Sequence, residues 1–480
     1  MLQRVCLAAA GMLLLAGCVT VGPDYHRPQS VTPAQWASDL QAGLTAQPSD
    51  PSTLRRWWAV LDDPILMTLM ERAQAGNLDL RQAEARLRAA RAQRGIAKAD
   101  LFPTVSANGS ARRTRSSEET QGDVPGDASP SLTGNHFANS FDASWELDLF
   151  GGKRRALESA TATVQASQEA VRDVLVSLFA EVALNYVEVR SYQARLSITE
   201  ASLSSQHETY KITRWRQEAG LTTQLDVDQA RRSLETTRAT IPSLRTNLEQ
   251  AGQRLAVLLG QPPGALKELL REPKPVPVTP KEIAVGVPAD ILRQRPDVRQ
   301  AERQLAAQTA QIGVATAERY PKFTLAGSIG LEAIEASNLY TAGARTAQAL
   351  AQAAWTLFDG GRIRQQIAVE TAKQEEALNH YEATVLSGLE EVESALIAYG
   401  DEQERRQALA EAVAAGQSAF TIARQQYDAG LIDFQTVLDT QRTLLLVQEQ
   451  LAISEAEITS DLIRLYKALG GGWERFEEKK

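Results

Sequence analysis

Residues 153–218, KRRALESATATVQASQEAVRDVLVSLFAEVALNYVEVRSYQARLSITEASLSSQHETYKITRWRQE, contain neither proline nor glycine. Within them Leu175, Val182, Val189, Leu196, Leu203 and Tyr210 recur every seven residues. Leu157, Val164, Val171 and Leu178 form a second seven-residue series offset by three. Together these are the a and d positions of a heptad seam, the pattern of one long helix packed on another. At 1.5 Å per residue the 66 residues make a rod of about 100 Å.

The rod must turn at Ala219-Gly220-Leu221, where Gly220 suits a left-handed helix cap. The chain returns through Leu234, Ile241, Leu248 and Leu255 and stops at Gly260-Gln261-Pro262-Pro263-Gly264. This return helix is expected to run about 38 residues, about 57 Å, with a kink at Pro242. It is too short to match the rod alone. Residues 296–319, opening on Pro296 at a helix N1 position, supply a further helix of about 36 Å to stack on it. A second set repeats the plan. Its rod is 362–428, its turn Gly430, its returning heptad Val437, Leu444, Leu451, Ile458 and Leu465, and its expected stacked partner 77–100.

The repetition extends to residue identity. Asp79, Arg81, Gln82, Ala83, Glu84, Leu87, Gly95, Ala97, Pro103, Gly109 and Ser110 recur 218 residues later, from Asp297 to Ser328. Ile212, Arg214, Ala219, Gly220, Leu221 and Val227 recur 210 residues later, from Ile422 to Val437. The chain is two copies of one unit.

Each copy also carries two strands. Phe137, Asn139, Phe141, Ala143, Trp145, Leu147 and Leu149 alternate with His136, Ala138, Ser140, Asp142, Ser144, Glu146 and Asp148. Phe323, Leu325, Gly327, Ile329 and Leu331 alternate similarly with Lys322, Thr324 and Ser328. One apolar and one polar face is the signature of a barrel strand between lipid and water. Residues 105–111 and 349–357 are weaker members, and the loops 115–135 and 335–346 are expected to face the exterior. Four strands cannot close a transmembrane barrel, which takes at least about eight, so the chain must oligomerise.

Targeting is written at the start. Arg4, the apolar run 5–15 and Leu15-Ala16-Gly17-Cys18 form a secretory signal with a lipobox, too short to span a bilayer. Cys6 leaves with the signal and Cys18 is the expected acylation site, so no disulfide is expected. Cleavage removes Arg4 and no acid, taking the net charge from −8 to −9, which argues against nucleic acid as a partner. The four histidines have no metal-ligand spacing, and no nucleotide-binding, hydrolase or zinc signature appears. The expected divisions are a signal peptide (1–17), a lipid-anchored segment and mid-rod belt (18–62), the first repeat (63–260), a Pro-rich belt linker (261–291), the second repeat (292–472) and a tail (473–480). Trp57, Trp58 and Trp473 read as anchors of the belt. Trp145 and Trp355 read as an aromatic girdle at a bilayer interface.

Several stretches together carry a family resemblance: VGPDY-RP from Val21, WW--L-DP-L from Trp57, VPADILRQRPDVRQAE from Val287, WELDLFGG, WTLFDGG, AGLTTQLDV and AGLIDFQTVLDTQR. The chain closely resembles the outer membrane efflux protein family (TolC-like), particularly its lipoprotein branch of the OprM and NodT kind, the outer-membrane subunit of resistance-nodulation-division efflux systems. The resemblance implies a mainly α protein with a membrane β-barrel. Three chains would form a twelve-stranded outer-membrane β-barrel continued by a periplasmic α-helical coiled-coil barrel, with two structural repeats per chain. It also implies a homotrimer that takes small molecules from a periplasmic adaptor protein and an inner-membrane pump, without catalysis or cofactor. On the same basis Gly220, Leu221, Gly430 and Leu431 form the adaptor-docking tips. Asp439 resembles a pore-constricting aspartate, Gln435 one turn earlier shares its face, and Asp226 is a weaker gate candidate. Gln435 departs from the pattern by standing where lipoprotein members commonly place a leucine, and Ile432 by replacing a basic partner found in some relatives. The competing readings are a protein-secretion duct and a non-conducting coiled-coil scaffold. Period-two strands argue against the scaffold, which has no use for a lipid-facing sheet.

Overall fold

A computed structural model describes residues 20–28, 33–47, 50–115, 117, 133–280 and 282–476. The signal peptide, Cys18 and most of the loop expected at 115–135 lie outside them. Both rods are single helices of 67 residues, Gly152–Glu218 and Arg362–Asp428. The return helices, Gln224–Leu258 and Phe434–Ala468, have 35 residues each, and the first runs unbroken across Pro242. The short helices Leu78–Ala99 and Pro296–Ala317 have 22 each. Equal lengths across the two sets are what duplication requires.

The stacking differs from the sequence expectation. Asn77 Nδ2 donates to Leu258 O at 2.9 Å, and its Oδ1 accepts from Leu80 N at 2.8 Å. One buried side chain thus joins the end of the first return helix to the start of Leu78–Ala99. At the corresponding place Arg295 Nη1 donates to Ala468 O at 2.6 Å, joining the second return helix to Pro296–Ala317. Each return helix therefore stacks on the short helix of its own repeat, the reverse of the assignment from length. Lengths alone could not decide, because both candidates match.

Contacts divide the chain into two compact units, each built from both repeats. The first takes in Thr20–Pro28, Arg88–Ala166 and Glu302–His380. Its sheet has four strands, antiparallel and adjacent in chain order: Thr104–Arg115, Thr133–Leu147, Lys322–Ala333 and Arg345–Ala354. Ala107, Phe141, Ile329 and Ala347 make one apolar row across it. The adjacent row, Ser106, Asp142, Ser328 and Gln348, points the other way and is polar. The alternation read from the two stronger strands thus holds across the sheet. The fourth strand begins earlier and ends earlier than the expected 349–357. Trp355, Leu357 and Phe358 lie beyond it, on the way to Asp359, whose carboxylate accepts from Gly361 N and Ile363 N at 2.8 and 2.7 Å and starts the second rod. An apolar helix entry imitated a strand, while the alanine- and glutamine-rich true strand carries a weak pattern.

The segment from Thr20 to Pro28 belongs to this first unit. Asp24 pairs with Arg155 at 2.7 Å, and Tyr25 and Arg27 both reach Glu302 at 3.1 Å. A Cβ on Gly22 would meet Gly313 Cα at 2.4 Å, so the two backbones touch where only glycine fits. This accounts for the VGPDY-RP stretch.

The second unit contains the residues expected to form the belt. Trp57 stacks on Tyr466 at 5.7 Å, Trp58 packs edge-on against Phe179 at 4.6 Å, and Trp473 lies under Arg55 and Arg172. Asp63 caps the helix Pro64–Gly76 through Ile65 N and Leu66 N, and accepts the Tyr186 hydroxyl at 2.6 Å. Burial, followed by that hydrogen bond, pushes the Tyr186 phenol up. The Pro-rich linker docks here too, with Pro277 O accepting from Thr459 Oγ1 at 2.9 Å and Ile283–Ala284 pairing with Leu44–Thr45.

The Asn77 junction gives a test. Asn77→Ala removes a helix cap and leaves Leu258 O without its donor. It should lower unfolding free energy by about 1–2 kcal/mol, read as a reduced melting temperature of the detergent-solubilised protein. An unchanged melting temperature would mean that the junction contributes nothing.

Candidate functional site

The two helix-hairpin tips lie in the second unit. At the first, Leu221 N donates to Arg216 O at 2.8 Å and Gly220 N to Gln217 O at 2.9 Å. At the second, Leu431 N reaches Gln426 O at 2.9 Å and Gly430 N reaches Tyr427 O at 3.0 Å. Both are Schellman closures, which need a left-handed residue after the helix. Gly220 and Gly430 supply it at φ +76° and +77°. The closures throw Leu221 and Leu431 outward, 72% and 74% exposed. Two apolar side chains standing in solvent on rigid turns are a surface that a partner could cover.

The tips pack side by side. Ala230, Ala423, Phe434, Val437 and Leu438 form a small core, joined by Tyr210, Phe420, Tyr427 and Ile432. Ile432 is therefore a packing residue of this core. Arg216 binds the tips across the hairpins, its guanidinium 4.7 Å from the Tyr427 ring centroid and 3.6 Å from Asp428. Sequence reading missed Arg216 because its partner is more than two hundred residues away.

The candidate gate residues separate. Gln435 Nε2 donates to Asp439 Oδ1 at 3.0 Å, so this pair shares a face as its i,i+4 spacing requires. Arg442, which sequence reading did not single out, stands 3.8 Å from the same oxygen at i+3, both side chains more than half exposed. A pair so exposed contributes little to stability.

Asp226 has a different task. It sits in a capping box, its carboxylate accepting from Thr223 N and Thr223 Oγ1 at 3.0 and 2.8 Å while Thr223 Oγ1 faces Asp226 N. In the second repeat the residue types are exchanged and only the N-cap half of the box is present. Asp433 stands at the N-cap and accepts from Thr436 N and Oγ1 at 2.9 and 2.6 Å. Partial burial works to raise Asp226, but hydrogen bonds from Thr222 and Thr223 hold it below the ordinary value of 3.8. Hydrogen bonds from the Thr436 side chain and backbone hold Asp433 below it as well.

The sheet supplies the other half of the site. Trp145 and Trp355 make matching bonds, Trp145 Nε1 to Leu101 O at 2.9 Å and Trp355 Nε1 to Arg319 O at 3.0 Å. Val105, Phe141 and Ile329 stand 60–69% exposed on one face. No helix of the described residues is long and apolar enough to cross a membrane. A sheet with an apolar outer face and helical hairpins with exposed tips defines a β-barrel membrane channel subunit.

Comparison with known proteins agrees. The family model for outer membrane efflux proteins matches residues 69–261 and 287–471. Nodulation protein T of Rhizobium leguminosarum bv. trifolii is 33% identical over 96% of this chain and 96% of its own. The toluene efflux pump outer membrane protein TtgC of Pseudomonas putida is 32% identical over 97% of this chain and 95% of its own. The solved outer-membrane channel OprN is 36% identical with a TM-score of 0.87, covering 95% of this chain and 99% of that one. The chain belongs to the outer membrane efflux protein family. It is an outer-membrane exit duct component of an efflux system, in a family of channels and not of enzymes.

The caps predict an acid response of the tips. Because Asp226 and Asp433 titrate below their ordinary 3.8, their stabilisation is present above that value and is lost as pH falls through the folded values. Amide exchange of the first turns of both return helices, corrected for intrinsic rates, should therefore accelerate below pH 3.8. Asp226→Ala should accelerate its own turn already at neutral pH. Uniform protection of both turns across this range would remove the capping role.

Proposed function

We propose that three copies of this chain form a twelve-stranded barrel in the outer membrane and passively conduct small molecules, drugs and toxic organics, outward from a periplasmic adaptor and an inner-membrane pump. The observation that carries the reading is the sheet, whose two outer strands, Thr104–Arg115 and Arg345–Ala354, each pair on one side alone among the described residues. In lipid an open edge leaves amides and carbonyls unsatisfied, so the edges must meet those of further copies. The adaptor docks on the tips, with Leu221 and Leu431 as apolar knobs on the Gly220 and Gly430 turns. Cys18 carries the acyl chains, palmitate included, that anchor the segment bound through Asp24, Tyr25 and Arg27. The duct catalyses nothing and needs no cofactor.

Within the tip, Asp439 is the constriction and Gln435 its hydrogen-bonding neighbour. Three such carboxylates around a narrow pore repel one another and attract cations. Asp226 is a lesser contributor, since its oxygens are engaged in the helix cap.

The purified protein in planar bilayers tests both levels. A trimer with measurable conductance is expected, and a stable, non-conducting monomer would return the chain to the scaffold reading. Asp439→Ala should raise single-channel conductance and weaken block by divalent cations more than Asp226→Ala does, with a smaller effect from Gln435→Ala. Wild-type conductance and block in Asp439→Ala would place the constriction elsewhere. Intact mass of the mature chain should show lipid on Cys18, absent from Cys18→Ser.

A further inference from the structure

The lipid-facing side of the sheet is not apolar throughout. Register places Arg113 and Arg115 on the same face as Val105, Ala107 and Ala111, and Arg345 on the face of Leu331 and Ile329. Arg345 opens its strand level with Gly109, and Arg113 and Arg115 lie four and six residues further out on the first hairpin, toward the loops that join the strands in pairs. None of them has an ion-pair partner among the described residues.

The apolar stretch they border has membrane dimensions. From Phe323 to Leu331 the third strand advances about 27 Å at about 3.4 Å per residue. A tilt of about 40° reduces this to about 20 Å, close to the apolar band of about 25 Å that membrane barrels show. Trp145 lies near the rod end of that band and Tyr340 at the loop end, where Asn139 Nδ2 donates to the Tyr340 hydroxyl at 3.0 Å. Beneath Tyr340 and Arg345, the side chains of Ala107, Phe141, Ile329 and Leu331 line a mostly apolar depression of about 660 Å³.

We infer that this rim is a binding site for a phosphorylated glycolipid of the outer leaflet. One acyl chain lies in the depression and its phosphates pair with Arg345, Arg113 and Arg115. Guanidinium groups at the water–hydrocarbon boundary suit phosphate geometry and donate two parallel hydrogen bonds to it. An acyl chain fills a depression that would otherwise expose Phe141 and Ile329 to poorly packed lipid. Free phosphate lacks that second contact, so the site is specific for the lipid and not for the anion. The inference rests on the barrel-wall reading above, with the loop end facing outward.

The test uses the full-length protein in nanodiscs, with lipid A as the probe and native mass spectrometry to count retained lipid. Wild type should retain phosphorylated lipid A and release its enzymatically dephosphorylated form, and added salt should weaken retention. Each Arg→Gln change should reduce retention about five-fold, and Arg113→Gln, Arg115→Gln and Arg345→Gln together about a hundred-fold, with conductance kept. Equal retention of both lipid forms by wild type, or undiminished retention by a conducting triple variant, overturns the inference and leaves the barrel standing. A wild-type protein that neither assembles nor conducts overturns both.

Discussion

Every amide and carbonyl that enters hydrocarbon must find its partner within protein, and the outer strands of this sheet each leave one side of the ladder open. Much of the architecture follows from that constraint. The strands cannot be stable in lipid as a single chain's sheet, and their apolar face cannot be stable in water. Copies of the chain closing a barrel satisfy both demands together. Alternation then follows from the wall having two solvents, with Phe141 and Ile329 on one side and Asp142 and Ser328 on the other.

The helical part answers a different demand, for length without a wide core. Heptad seams let each rod of 67 residues bury a narrow stripe, and a return helix of 35 residues covers part of it. The remainder is covered by a short helix stacked end to end, and that joint is a weak point, since two helix ends meet with orphan carbonyls and amides. Asn77 and Arg295 occupy the joints and satisfy them with side chains. The Arg295 joint is the more elaborate. Its guanidinium, buried among protein atoms, also pairs with Asp297 and Glu391 at 2.7 Å each. A buried cation is tolerated only when so compensated. These counter-charges, outweighing the desolvation that works to lower it, raise the Arg295 pKa.

How far the sequence could be read depends on how local each signal is. Rod ends came within a residue because Gly220 and Gly430 mark a left-handed turn that few other residues tolerate. The duplication exposed the repeats because identities recur at fixed offsets. The stacking partners could not be read, because the two short helices have the same length and pattern and the deciding contacts span more than one hundred and seventy residues. The fourth strand was misplaced for a related reason. Its small residues say little alone, and their meaning comes from Leu325 and Ile329 on the neighbouring strand. The family of the candidate site was legible, yet the role of Asp226 was not. An aspartate three residues into a helix serves equally as cap or as pore lining until its partners are seen.

The tips show how duplication leaves room for a gate. Each repeat uses one carboxylate at the start of its return helix, Asp226 in a capping box with Thr223 in one and Asp433 as an N-cap bonded by Thr436 in the other. These aspartates are committed to structure, since withdrawing either frees amides at a helix start. Asp439 carries no such duty. Its counterpart 210 residues earlier is Gln229, and that of Gln435 is Leu225. The second repeat alone thus holds the pair at this register; the first carries Gln224 and Asp228 one residue earlier, about 100° around the helix. In the proposed trimer six similar hairpins would present three carboxylates and not six. Half the hairpins could then supply constriction while the others keep an apolar or neutral lining. A duct with charge at every hairpin would be harder to close, because doubling the number of like charges on one ring multiplies the repelling pairs and shortens their separation. In the proposed trimer, confining the charge to one repeat would keep repulsion low enough for the tips to rest together and would leave a ring that cations could occupy.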